Sequence, residues 1–174
     1  MTLQFEATIT NIKDTCIVRI PSLISAELPS RGMVMVQAIV RGISILVPLE
    51  PDGNKGHWME VTKTLLDELA CSVGDRIEIE MEPADTWEEP EMPADIINAI
   101  SAAGLEDTWQ TITTKAKWEW LRWIRSTNNA ATRQKRISVA CSKLSHGEKR
   151  PCCFDQTRCT VPEVAKTGVL LDVL

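Results

Sequence analysis

Apolar and polar positions alternate along the first half of the chain and recur at helical spacing along the second. In Arg76-Ile77-Glu78-Ile79-Glu80-Met81 the alternation is strict, so Ile77, Ile79 and Met81 share one face of a strand and that face must be buried. Apolar stretches at 3–11, 16–21, 32–40, 43–48 and 73–81 read as strands in the same way. Arg41-Gly42, between two such stretches, predicts a tight hairpin, and Asp52-Gly53-Asn54-Lys55-Gly56 predicts a longer loop. Residues 64–70 are helix-prone. Closely spaced strands with one short helix predict a small barrel or sandwich over residues 1–82.

Pro83, Pro90 and Pro93, interspersed with Asp85, Glu88, Glu89 and Glu91, predict an acidic linker over 83–91 that joins neither a central strand nor a continuous helix. Beyond it the period changes. Pro93 suits a first helical turn, Ile96, Ile100 and Ala103 recur at i, i+4 and i+7, and Gly104 is a stop. Residues 114–125 and 130–144 read as two further helices joined by the polar turn 126–129. The helical domain is therefore placed at 92–147. A cysteine-containing tail over 148–174 lacks dependable periodicity, although 169–174 is apolar enough to dock.

The length of 174 residues accommodates two small units, and 44% hydrophobic with 25% charged residues excludes a disordered chain. The longest apolar run, 43–49, is far short of a membrane span, so no membrane association is expected. The N-terminus has neither a basic region nor an unbroken apolar one, which points to a cytoplasmic protein with reduced thiols at its six cysteines. Charge is uneven: residues 1–82 carry a net −5, 83–107 a net −7 and 115–150 a net +8. Such polarity calls for an anionic partner, such as nucleic acid, or for an internal match between acidic and basic segments.

Phe5-Glu6-Ala7, Ile20-Pro21, Arg31-Gly32 leading into 34–40, and Val73-Gly74-Asp75-Arg76-Ile77 together resemble a small bacterial domain of unknown function. That domain is a double-split β-barrel grouped by fold with AbrB/MazE-type barrels. Met92-Pro93-Ala94-Asp95, the pair Trp123-Ile124 and the run Ala131-Thr132-Arg133-Gln134-Lys135-Arg136-Ile137 resemble the YdeI/OmpD-associated family, also described as bacteriocin-protection. The resemblance implies an α+β chain, with an N-terminal double-split barrel followed by a C-terminal helical module. It carries no settled biochemical activity, and fold-level kinship to DNA-binding barrels does not transfer a function. The net −5 of the barrel argues against a grip on phosphates.

Catalytic signatures are missing: the chain has no Tyr, no nucleophile elbow and no phosphate-binding glycine loop. His57 reads as an ordinary loop residue and the paired glutamates as solvated charge, so no catalytic residue is expected. On the helix at 114–125, Trp120, Leu121 and Ile124 cluster on one side, with Trp118, Arg122 and Arg125 on another. On the next helix Thr132, Arg136, Val139 and Lys143 form a stripe. Trp118, Arg122, Arg125, Arg136 and Lys143 are thus the candidate anion surface, since a tryptophan beside arginines suits nucleobases or phosphorylated ligands. Arg133 flanks the apolar side and suits an ion pair with Glu119. His146, Cys152, Cys153 and Cys159 have zinc-compatible chemistry without zinc-compatible spacing, so no metal or cofactor is expected. Lys149 and Arg150 near Cys152 leave a redox-sensor role open. The expectation is a non-catalytic binding or stress-response protein. Its helices would engage an anionic partner, and its barrel would serve as a folding or homodimerisation platform. The alternative is a structural or interaction protein whose acidic linker and basic helices match each other and leave no ligand site.

Overall fold

Ile77, Ile79 and Met81 are each 2% exposed, and the glutamates between them point outward, as the alternation predicts. In the computed structural model, which describes residues 1–152 and 154–172, they lie on β7 (Arg76–Pro83). The other strands of this unit are β1 (Leu3–Thr8), β2 (Thr10–Ile12), β3 (Thr15–Arg19), β4 (Val34–Val40), β5 (Ile43–Pro51) and β6 (His57–Glu60). Two helices, α1 (Ser22–Ser25) and α2 (Lys63–Leu69), complete it. The strands form one antiparallel sheet in the order β1-β7-β4-β5-β6-β3-β2.

Two stretches of chain each serve both halves of this sheet. Residues 3–8 pair with β7, and after Ile9 residues 10–12 pair with β3; β5 pairs with β4 over 43–49 and with β6 at 50–51. Ile9 joins the halves, donating to Asp75 O at 2.9 Å and accepting from Gly74 N at 2.8 Å. Because the two ends of the strand order are consecutive residues, the sheet curls into a half-barrel around Val36, Val40, Leu49, Met59 and Ile79. Arg41 and Gly42 both have positive φ, 51° and 79°, the backbone of a tight hairpin turn between β4 and β5.

Pro83 departs from its expected place in the linker. It ends β7 opposite Val36, a terminal position where a missing N–H is tolerated within a sheet. β6 was not foreseen either, because His57 follows a glycine-rich turn and only three apolar or polar alternations are too few to announce a strand.

The second unit comprises residues 87–155 and 160–162, and the first comprises 1–86, 156–159 and the segment from 163. Residues 87–91 of the expected linker therefore pack with the helices, and most of the tail packs with the barrel. The helices are α3 (Ala94–Ala102), α4 (Glu106–Thr111), α5 (Thr114–Arg125) and α6 (Ala130–Ser145). Thr113 Oγ1 caps α5 by accepting from Ala116 N, and Asn129 Oδ1 caps α6 by accepting from Thr132 N. Their core joins Ile96, Ile100, Trp109, Trp120, Ile124 and Leu144. The short strands β8 (Ala165–Lys166) and β9 (Val169–Leu170) form a hairpin in the barrel unit. There Leu170 N donates to Asp52 O at 2.9 Å. The expected docking of 169–174 concerns Leu170 and Leu171 in part, while Val173 and Leu174 lie outside the described residues. Among the described residues no helix is long and apolar enough to cross a membrane.

Candidate functional site

α5 buries Trp120, Leu121 and Ile124 as its periodicity requires, yet its opposite side is also covered. Trp118 is half-buried, and its Nε1 donates to Glu88 O at 2.8 Å. Lys117, whose side chain is 6% exposed, places Nζ 3.2 Å from Glu89 Oε2, and Thr114 Oγ1 donates to Glu89 Oε1 at 2.9 Å. Lys115 lies 4.9 Å from the centre of the Trp87 ring. The acidic segment 87–89 thus rests on the first half of α5.

Arg122 requires a correction. The helical wheel sets it apart from the apolar side, but it is 2% exposed, with its guanidinium 5.2 Å from the centre of the Phe154 ring. The cause is the segment that follows α6. Lys149 O accepts from Trp120 Nε1 at 2.9 Å, and Arg150 Nη1 stands 3.4 Å from Glu119 Oε1, which lays residues 149, 150 and 154 along α5. Burial pushes the Glu119 carboxyl above its usual range, with Arg150 and Arg122 opposing the rise.

The other candidates are similarly engaged. Arg125 Nε and Nη2 reach Thr160 Oγ1 at 3.3 and 3.2 Å. Arg136 Nη1 donates to Trp123 O at 2.9 Å and to Ser126 Oγ at 2.8 Å, and its guanidinium lies over the Trp123 ring. Lys143 Nζ is 3.2 Å from Glu148 Oε2 and 3.6 Å from Cys152 Sγ. Arg133 forks onto Asp95, with contacts of 2.7 and 2.9 Å. That fork holds the Asp95 carboxyl below its usual range. The five candidates are therefore distributed among separate internal contacts.

A polar cluster in the barrel went unrecognised in the sequence. His57, expected in a loop, is the first residue of β6 and 1% exposed. Its Nε2 is 2.9 Å from Gly32 O, and its Nδ1 is 3.1 Å from the Oγ of Ser25, itself 1% exposed. Arg31 braces the same region, donating to the carbonyls of Ser25 at 2.6 Å, Leu28 at 3.0 Å and Lys55 at 2.7 Å. Burial pulls the His57 imidazole below its ordinary 6.5, aided by the Arg31 charge. An open depression of about 460 Å³ adjoins the cluster, with Ser22, Arg31, Asp52 and Lys55 on its walls.

Residues 5–81 match the model of a domain of unknown function, DUF1905, and residues 89–147 match the model described as bacteriocin-protection, YdeI or OmpD-associated. The chain carries both domains, in that order. No curated protein matches it.

In the DUF1905 domain, Ser25, Arg31, Gly32 and His57 all fall within the matched residues. In the YdeI/OmpD-associated domain the match starts at Glu89, the partner of Lys117, and stops before Phe154, which covers Arg122. Of the zinc-like set, His146, Cys152 and Cys159 are described. His146 Nδ1 contacts Ser142 O at the end of α6, Cys152 faces Lys143, and Cys159 is buried in the barrel unit. Cys153 lies outside the described residues. Among the described residues no three or more His, Cys, Asp or Glu side chains are placed to hold a metal, and Cys16, Cys71, Cys141 and Cys152 are free thiols.

Proposed function

We propose that this chain is a non-catalytic structural or interaction protein whose acidic linker and basic helices match each other internally. The reading rests on the seating of Glu88 and Glu89 against Trp118 and Lys117, the first basic turn of α5. It is supported by the internal partners of Arg122, Arg125, Arg136 and Lys143, each of which is held by an aromatic ring, a hydroxyl, a carbonyl or a carboxylate. Positive charge concentrated in sequence is thereby dispersed in space. We also infer that the DUF1905 domain shares the double-split barrel architecture of AbrB/MazE-type folds; its two strand stretches that each serve both half-sheets support this.

Titration of the intact protein with single-stranded RNA, duplex DNA and phosphorylated nucleosides at low salt, alongside an Arg122→Ala/Arg125→Ala variant, tests the functional reading. The expected result is no binding that depends on these arginines, together with earlier melting of the variant. Salt-sensitive binding abolished in a variant that melts like the parent would overturn it, because counterion release follows phosphate contacts.

A further inference from the structure

His57 sits where α1, the Gly32 carbonyl and the start of β6 meet, and both of its ring nitrogens are engaged. A carbonyl oxygen only accepts, so Nε2 carries the proton that faces Gly32. Nδ1 is then the acceptor for the Ser25 hydroxyl. The neutral ring satisfies both neighbours. A second proton would turn Nδ1 into a donor, force the Ser25 hydroxyl to reorient, and leave a cation enclosed at 1% exposure. The charged residues on surrounding elements are Glu27 and Arg31 after α1, Arg19 on β3, Glu50 on β5, and Asp52 and Lys55 in the loop that follows. Arg31 opposes charge on the ring and Asp52 favours it. Arg31 is tied to three carbonyls and has little room to withdraw.

The backbone around this cluster also carries the C-terminal segment. Gly32 is so close to Gln156 that a Cβ there would stand 3.0 Å from the Gln156 carbonyl oxygen. Asp52 O accepts from Leu170 N at 2.9 Å, and Gly53 packs against the backbone of Gly168. Arg19 Nη2 contacts Leu171 O on the same side. Movement of the 25–32 stretch or of the 52–56 loop therefore disturbs the seat of the β8–β9 hairpin.

We propose that His57 is an acid-sensitive latch: its protonation opens the segment from α1 to Gly32 and releases the C-terminal hairpin from the barrel. An opening that lets the ring take up a proton becomes about ten-fold more populated per pH unit below about 6.5, down to the pKa of the enclosed ring.

Hydrogen exchange on the full chain at pH 7.5 and 5.5, corrected for intrinsic exchange rates, tests this. Amides in 22–33 and 164–171 should open about ten-fold more at pH 5.5, while β4 amides keep their protection. In His57→Gln, which retains an N–H for Gly32 but cannot take up a proton, protection should be the same at both pH values. Unchanged protection of the wild type, or equal acid loss in His57→Gln, overturns the latch. If the variant does not fold, imidazole NMR of His146→Gln, whose only imidazole is that of His57, decides. An Nε2–H tautomer that disappears together with protection is expected. An Nδ1–H tautomer, or protonation that leaves protection intact, overturns it.

Discussion

The Arg122 guanidinium lies over the Phe154 ring, 5.2 Å from its centre, in a setting that leaves Arg122 2% exposed. A desolvated cation over an aromatic face contributes up to about 2 kcal/mol, and Arg122 also offsets the charge of buried Glu119. Arg122→Ala should therefore lower stability by about 2 to 4 kcal/mol. Thermal unfolding of the variant checks this; melting indistinguishable from the parent would show that Arg122 has no role in holding α5 to the segment beyond α6.

The pair Lys117 and Glu89 gives a milder test of internal charge matching. Lys117 is enclosed but Glu89 remains 58% exposed, so solvent screens much of their attraction. A double-mutant cycle of Lys117→Ala and Glu89→Gln should return a coupling of about 0.5 to 1 kcal/mol that shrinks in high salt. A coupling of zero at low salt would remove the acidic segment from the forces that stabilise α5.

Asp95 supplies the acid-side prediction. Its folded pKa lies below the unfolded 3.8 because Arg133 hydrogen-bonds its carboxylate. The stabilisation is thus complete above 3.8 and is lost as pH falls through the folded value. Both side chains are partly exposed, at 27% and 37%, so Asp95→Asn should cost only about 0.5 to 1 kcal/mol at pH 7. Denaturant unfolding at neutral pH and well below 3.8 should show the difference between parent and variant vanishing in acid. A difference that persisted there would assign the effect to packing.

Gly53 and Gly42 form a controlled comparison, with φ of +80° and +79°. A Cβ on Gly42 meets nothing within 4 Å, whereas one on Gly53 overlaps the Gly168 carbonyl. Gly42→Ala should cost about 1 to 2 kcal/mol, the left-handed backbone penalty alone. Gly53→Ala should cost about 1 to 3 kcal/mol more for the added overlap and should expose 163–172 to protease. Equal destabilisation of the two variants, with the C-terminal segment equally resistant, would mean that the glycine contact does not seat the hairpin.

The sequence by itself determined the regular elements and their apolar faces. Ile77, Ile79 and Met81 announce the buried side of β7, and Trp120, Leu121 and Ile124 that of α5, because burial against one layer imprints the period of the element. The same patterning located both ends of α5 and most of α6, and the charge pattern marked 83–91 as an acidic stretch that the basic helices could neutralise. Other features were decided only by tertiary structure: the sharing of two strand stretches, the burial of Arg122 and the enclosure of His57. Their partners are remote, Ser25 and Gly32 being 32 and 25 residues from His57. Periodicity reports which side of an element avoids water. It carries no information about which distant carbonyl, ring or carboxylate will arrive to make burial of a polar side chain affordable on the other side, and that arrival is what encloses Arg122 on a side of α5 the period leaves to water.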